Sequence, residues 1–333
     1  MASVAGRDTW MVGFVFLFYG IFFIKFMFSP KVYSPGRGLA GQAARRLGPL
    51  GVALALVAAA YIFLVLIIDV KDFVDFFELV MPHTPPSIFG GTLLILSTAV
   101  LVAGVEVLGR VAFILLPGVI LLLLGGTAGN LPSFEAGGLL PFLDRGPEPL
   151  IRAGYMQTAY TSEMIALGFL SGHLGCLYDG QVRRASYLGY LMVALLFFIL
   201  SVDLFGVLGE TYARQSNFKM FSLFHYGIKG SSTGFDSLFI VLWVSVFFVK
   251  TSLLQGAIGV ALGEITPLKA RTYYLFTGLA VFVLSFFIFH NRIMMLQFYT
   301  DYFPFFSTPF ALISLLLIYL FSGKDKDRDV KGD

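Results

Sequence analysis

Apolar runs of roughly 20 residues that carry one charge or none constrain this chain more than any motif does. A helix on the surface of a water-soluble protein needs a charged face. Of 333 residues, 57% are hydrophobic and 13% charged, and the charges gather between the runs instead of striping them. The solvent of those segments is therefore lipid. Inside a bilayer every backbone polar group must be paired within the protein, which leaves α-helices or a closed barrel. Strict alternation is missing, and continuous stretches such as Leu93 to Ala103 favour helices. The expected fold class is an all-α polytopic membrane protein.

Windows of about 19 residues give nine expected spans. They run over Thr9 to Phe28, Leu47 to Ile68, Pro85 to Gly104, Val111 to Gly126, Glu148 to Ser171, Arg183 to Leu208, Asp236 to Leu262, Thr272 to His290 and Phe305 to Ser322. The fifth is the weakest, because its first half is polar. Together they make one transmembrane domain over 1–322, followed by a charged tail, 323–333, expected to be disordered and cytoplasmic. Lys31, Arg37, Arg45 and Arg46 fall in the first loop without an acid. Asp69, Asp72, Asp75 and Glu78 are read as a second, acidic loop around Lys71. The positive-inside rule then puts the first loop and the C-terminus in the cytoplasm and Met1 outside. A chain with no basic leader before its first span fits that orientation poorly, so an upstream helix is expected to be missing, the alternative being a genuine N-out protein.

Several function classes drop out. A net charge of +3 spread over loops makes no nucleic-acid stripe. Cys176 is the single cysteine and is read as a small packing residue. His83, His173, His225 and His290 show no metal-ligand spacing, and neither a nucleophile with its base nor a Gly-rich phosphate loop can be assembled. No enzyme, cofactor or metal is expected.

The informative residues are those that do not belong in lipid. A mid-membrane charge costs at least about 2.5 kcal/mol on insertion scales, so it faces a cavity or a partner. Lys250 lies too deep in its span to reach an interface and needs an internal acceptor. On the same helix Ser245, Ser252, Gly256, Gly259 and Gly263 form a separate small-residue stripe suited to close helix packing. Glu163 ends the polar stretch Gly154-Tyr-Met-Gln-Thr-Ala-Tyr-Thr-Ser-Glu163. Such a stretch suggests either an unwound, broken helix of the kind that binds solutes in transporters or a tilted helix whose polar half packs on its neighbours. Asp203 is read as interfacial, Lys25 as snorkelling to the interface, and Glu106 with Arg110 as a structural ion pair four residues apart.

Five stretches in order resemble the endospore germination permeases, the B-type subunits of nutrient germinant receptors in the amino acid/polyamine/organocation transporter superfamily. They are Met81-Pro-His-Thr-Pro85, Gly104-Val-Glu-Val-Leu-Gly-Arg110, Leu139-Leu-Pro141 with the later Glu163, Phe248-Val-Lys250-Thr-Ser252 and Tyr302-Phe-Pro-Phe-Phe-Ser307. The resemblance implies a LeuT-like architecture of inverted repeats with ten helices, of which this chain would lack the first. It also implies an A subunit and a lipoprotein C subunit as partners, location in the spore inner membrane, and a small nutrient, an amino acid above all, as ligand. The segment Gly154 to Glu163 would correspond to the family's discontinuous sixth helix, with Tyr61 and Asp69 on its third and Lys250 and Ser252 on its eighth. The candidate ligand-binding residues are Tyr61, Tyr155, Thr158, Tyr160, Thr161, Ser162, Glu163, Lys250 and Ser252. A proton- or sodium-coupled amino acid transporter, and a water- or ion-conducting or structural subunit, fit the polar interior as well.

Overall fold

The structure is a computed structural model that describes residues 2–33, 36–173, 179–227, 234–289 and 291–321. Cys176, His290 and the tail 323–333 lie outside the described residues. Helices dominate and no strand element occurs among the described residues. The chain is an all-α polytopic membrane protein.

We number the helices α1 (Thr9–Met27), α2 (Leu39–Leu47), α3 (Pro49–Val80), α4 (Pro86–Ala103), α5 (Val105–Asn130), α6 (Glu148–Ser162), α7 (Ile165–Leu170), α8 (Asp179–Gln215), α9 (Lys219–Gly227), α10 (Gly234–Ile265), α11 (Ala270–Phe287), α12 (Arg292–Gln297) and α13 (Phe303–Leu320). Among the described residues, eight helical stretches are long and apolar enough to cross a bilayer. The expected ninth, Glu148 to Ser171, is split into α6 and α7 and meets neither criterion whole.

Two boundaries differ from the sequence reading for a physical reason. Helix α3 does not stop at Ile68 but continues for three more turns to Val80, so the acids assigned to a loop are helical. Nothing between Ile68 and Pro82 can break a helix, and most of the charges on that stretch find partners inside the protein. Helix α8 likewise runs past Leu208 to Gln215, with a break at Gly209, whose φ of 68° and ψ of 169° suit glycine.

Contacts within the chain cluster into two units. The first comprises residues 1–21, 112–161 and 188–246. Ala2, Leu204, Phe205, Ala213 and Leu223 form one of its apolar cores. Around Glu210 it gathers three guanidinium groups: Arg7 at 2.6 Å, Arg145 at 2.9 Å and Arg214 at 3.5 Å. Arg7 also donates to the Leu140 carbonyl, and Arg214 to that of Ser3, so the cluster ties three distant stretches of chain together.

The second unit comprises residues 22–111, 162–187 and 247–333. Here α3 is flanked by α2, α4 and α11. The amphipathic α2 buries Leu39, Ala40 and Ala43, and its first turn is closed by Glu264, whose carboxylate accepts from the backbone N–H of Gly38 (2.5 Å) and Gly41 (2.8 Å). The glycine stripe of α10 is a packing face. Gly256 meets Leu101, Gly263 meets Ala270, and a Cβ on Gly259 would sit 2.3 Å from the Tyr274 ring.

Candidate functional site

Extending α3 to Val80 carries Asp69, Asp72 and Asp75 into the second unit at three-residue steps, close to one helical face. Each is answered by a base. Arg292, in the first turn of α12, pairs with Asp72, and Lys71 pairs with Asp75 at 2.7 Å across one turn. Asp69 faces Lys250.

The Lys250 ammonium stands 2.9 Å from the Asp69 carboxylate and 2.9 Å from that of Glu163. It thereby joins α3, α10 and the junction between α6 and α7. The Tyr299 hydroxyl donates to Glu163 Oε1 at 2.5 Å. Tyr299 belongs to a π-helical turn, Phe298–Tyr302, inserted between α12 and α13, and such bulges re-aim side chains out of the regular helical register. Its ring stacks on Phe303 at 4.6 Å, and Phe303 in turn stacks on Tyr61 at 5.5 Å. Tyr61 therefore reaches the carboxylates through two aromatic rings. Ser252, two residues after Lys250, is fully buried and donates to the Phe248 carbonyl of its own helix.

Two features define the chemistry of this cluster. Two carboxylates share one ammonium, so with all three ionised the group carries one excess negative charge, and Asp69 Oδ2 is buried with no hydrogen-bond partner. Access is also uneven. Lys250 keeps 35% of its side-chain surface open, whereas Asp69 keeps 13% and Glu163 9%.

The helix break at Glu163 is narrower than the sequence implied. The polar stretch from Gly154 to Ser162 is regular α-helix, and the interruption is confined to Glu163 and Met164. Backbone groups there are engaged in tight bonds, Ala166 N to Glu163 O at 3.0 Å and Leu167 N to Met164 O at 2.9 Å. The interruption turns the chain and aims Glu163, and it does not expose a long unwound segment.

A family described as spore germination protein matches residues 1–293. The chain belongs to the spore germination permease family. Spore germination protein XB of Bacillus anthracis is similar to it, at 24% identity over 276 residues that cover 80% of this chain and 75% of the relative. The protein is accordingly a multi-pass membrane protein of a spore-forming bacterium, in a family of germination permeases.

The structure distributes the sequence-predicted residues of this permease between its two units. Ser162, Glu163, Lys250, Ser252 and Tyr61 fall in the second unit. Tyr155, Thr158, Tyr160 and Thr161 fall in the first. There Thr158 donates to the Tyr155 carbonyl at 2.6 Å, the Thr161 hydroxyl lies 3.5 Å from that of Tyr190, and Tyr160 turns outward with 41% of its surface exposed. Glu106 and Arg110 pair at 2.7 Å on an exposed face of α5.

Asp203, read from the sequence as interfacial, is buried within the protein, 4% exposed, accepting from the Asn130 side chain at 2.9 Å. Tyr299 and the Asp72–Arg292 pair are site residues that sequence reasoning left out, and Asp69, which the resemblance put on the third helix, was not among the candidate ligand-binding residues. The absence of any helix breaker after Ile68 was the available signal for the two acids. Tyr299 carried none, because a π-turn has no periodicity that one sequence reveals.

Proposed function

We propose that this chain is the permease-like subunit of a nutrient germinant receptor, and that the Asp69–Lys250–Glu163 cluster is where it senses a small amine-bearing nutrient such as an amino acid. The observation that carries this reading is the sharing of one ammonium by two buried carboxylates. The excess negative charge asks for a further cation in a membrane-embedded unit, and the ammonium of an amino acid supplies it. Its carboxylate would meet Lys250, the one cation of the cluster. Family membership and the similarity to a spore germination protein support the germination role.

Binding would then redistribute a fixed set of ion pairs. When the solute's carboxylate competes for Lys250, Glu163 and Asp69 exchange the lysine ammonium for that of the solute. Glu163 sits at the α6–α7 interruption and Tyr299 on a π-turn, so both are mounted where a helix can change register. The differential affinity of the two arrangements is the signal passed to the receptor's A and C subunits in the spore inner membrane.

Spores deleted for this gene and complemented with it, challenged with a panel of amino acids and sugars, test the reading. Restored germination by an amine-bearing nutrient is expected. Failure of every nutrient, with labelled solute accumulating in vesicles that hold the protein, would place the cluster in a transport cycle instead.

A further inference from the structure

The first unit holds a second buried carboxylate, remote in sequence from the nutrient cluster and treated differently by the fold. Asp203 is 4% exposed. Among the described residues no lysine, arginine or histidine stands in ion-pair reach of it, in contrast to Glu210 seven residues later, which has three arginines. Its described partners are neutral. The Asn130 amide donates to Oδ2 at 2.9 Å, and the Thr127 hydroxyl, one turn earlier on α5, faces the same carboxylate.

Those neutral partners are themselves unsatisfied. Asn130 is wholly buried, and its amide oxygen has no hydrogen-bond partner. The Thr127 hydroxyl oxygen is also buried without a hydrogen bond of normal geometry. A buried orphan acceptor costs about 1–3 kcal/mol, and native structures retain such groups mainly where a water or an ion completes them. Three oxygen-bearing side chains are the kind of donors that hard cations take, and the single negative charge among them matches one positive charge.

The surrounding chain closes this place. The segment after Asn130 folds across α8 one turn beyond Asp203, where the Glu135 N–H donates to the Gly206 carbonyl at 2.8 Å. The Phe134 ring lies flush on Gly206, where a Cβ would come within 2.1 Å of it. The fold thus covers a carboxylate without supplying its counter-charge.

We infer that Asp203, Asn130 and Thr127 form a binding site for a monovalent cation of the sodium or potassium class, held by the Asp203 carboxylate, the Asn130 amide oxygen and the Thr127 hydroxyl. The site is independent of the nutrient reading. It gives the first unit an exchangeable cation where the second has the tethered ammonium of Lys250.

The test uses the full chain purified in detergent, its unfolding temperature measured in choline chloride and with choline replaced at constant ionic strength by sodium, potassium or lithium, and separately with magnesium or calcium added. A saturable rise with sodium or potassium is expected, absent in Asp203→Asn. Thr127→Val should need at least about tenfold more ion for half the effect, whatever its unfolding temperature in choline. Should Asp203→Asn fail to fold, the Thr127→Val titration decides. Equal stability in all chlorides, an ion effect that survives Asp203→Asn, an equal response to divalent ions, or a pH response without ion dependence (protonation of Asp203 alone) would each overturn the proposal.

Discussion

Asp69 and Glu163, in the second unit, are held by the ammonium of Lys250, whereas Asp203, in the first, is answered by an amide and a hydroxyl. Each is a carboxylate that sequence hydropathy alone would keep out of a membrane protein's interior. The contrast shows two ways of holding a buried carboxylate: a counter-charge fixed on a neighbouring helix, or neutral amide and hydroxyl donors that bring no counter-charge. The first cannot be removed without breaking the fold. On the cation-site proposal, the second can be emptied and filled.

Lys250→Met breaks the comparison most severely. It strands two buried carboxylates, and the expected loss is about 3–5 kcal/mol, read as a lower unfolding temperature and reduced membrane yield. Adding Asp69→Asn should recover much of that loss, because the remaining charge is then Glu163 with its tyrosine donor. If Lys250→Met alone is as stable as the parent, the ammonium is not a structural counter-charge.

Packing supplies an effect of intermediate size. Gly259→Val places atoms where the Tyr274 ring now lies and should cost about 1–3 kcal/mol in thermal unfolding while leaving charge untouched. That variant separates damage to the second unit's helix contacts from damage to its ion pairs. At the small end, Glu106→Ala removes an exposed ion pair on α5 and should change stability by less than about 0.5 kcal/mol. A large loss there would mean that surface pairs matter as much as the buried cluster, contrary to the burial argument.

Much of this was legible in the sequence. The apolar runs gave helices in lipid, and the cost of a buried ammonium required an acceptor for Lys250 before any partner was visible. The glycine steps on α10 marked a packing face. What stayed hidden has one cause in two places. Hydropathy windows end at the first acid, so Asp69, Asp72 and Asp75 looked like a loop and Asp203 looked interfacial. Whether an acid ends a helix or is carried inside it depends on a partner hundreds of residues away, such as Arg292 for Asp72. The narrowness of the break at Glu163 was hidden for a different reason. Polar side chains such as Gln157 and Thr161 suggest unwinding, yet their backbone is regular helix, and the Thr161 hydroxyl reaches only a nearby carbonyl and Tyr190.

The most direct test of the central claim is the germination dose response of deleted spores complemented with the parent chain or with Glu163→Gln, at matched protein levels in the spore membrane. Glu163→Gln keeps the shape of the side chain and removes the excess negative charge. The account predicts that the nutrient concentration for half-maximal germination rises by about tenfold or more. An unchanged dose response would contradict it.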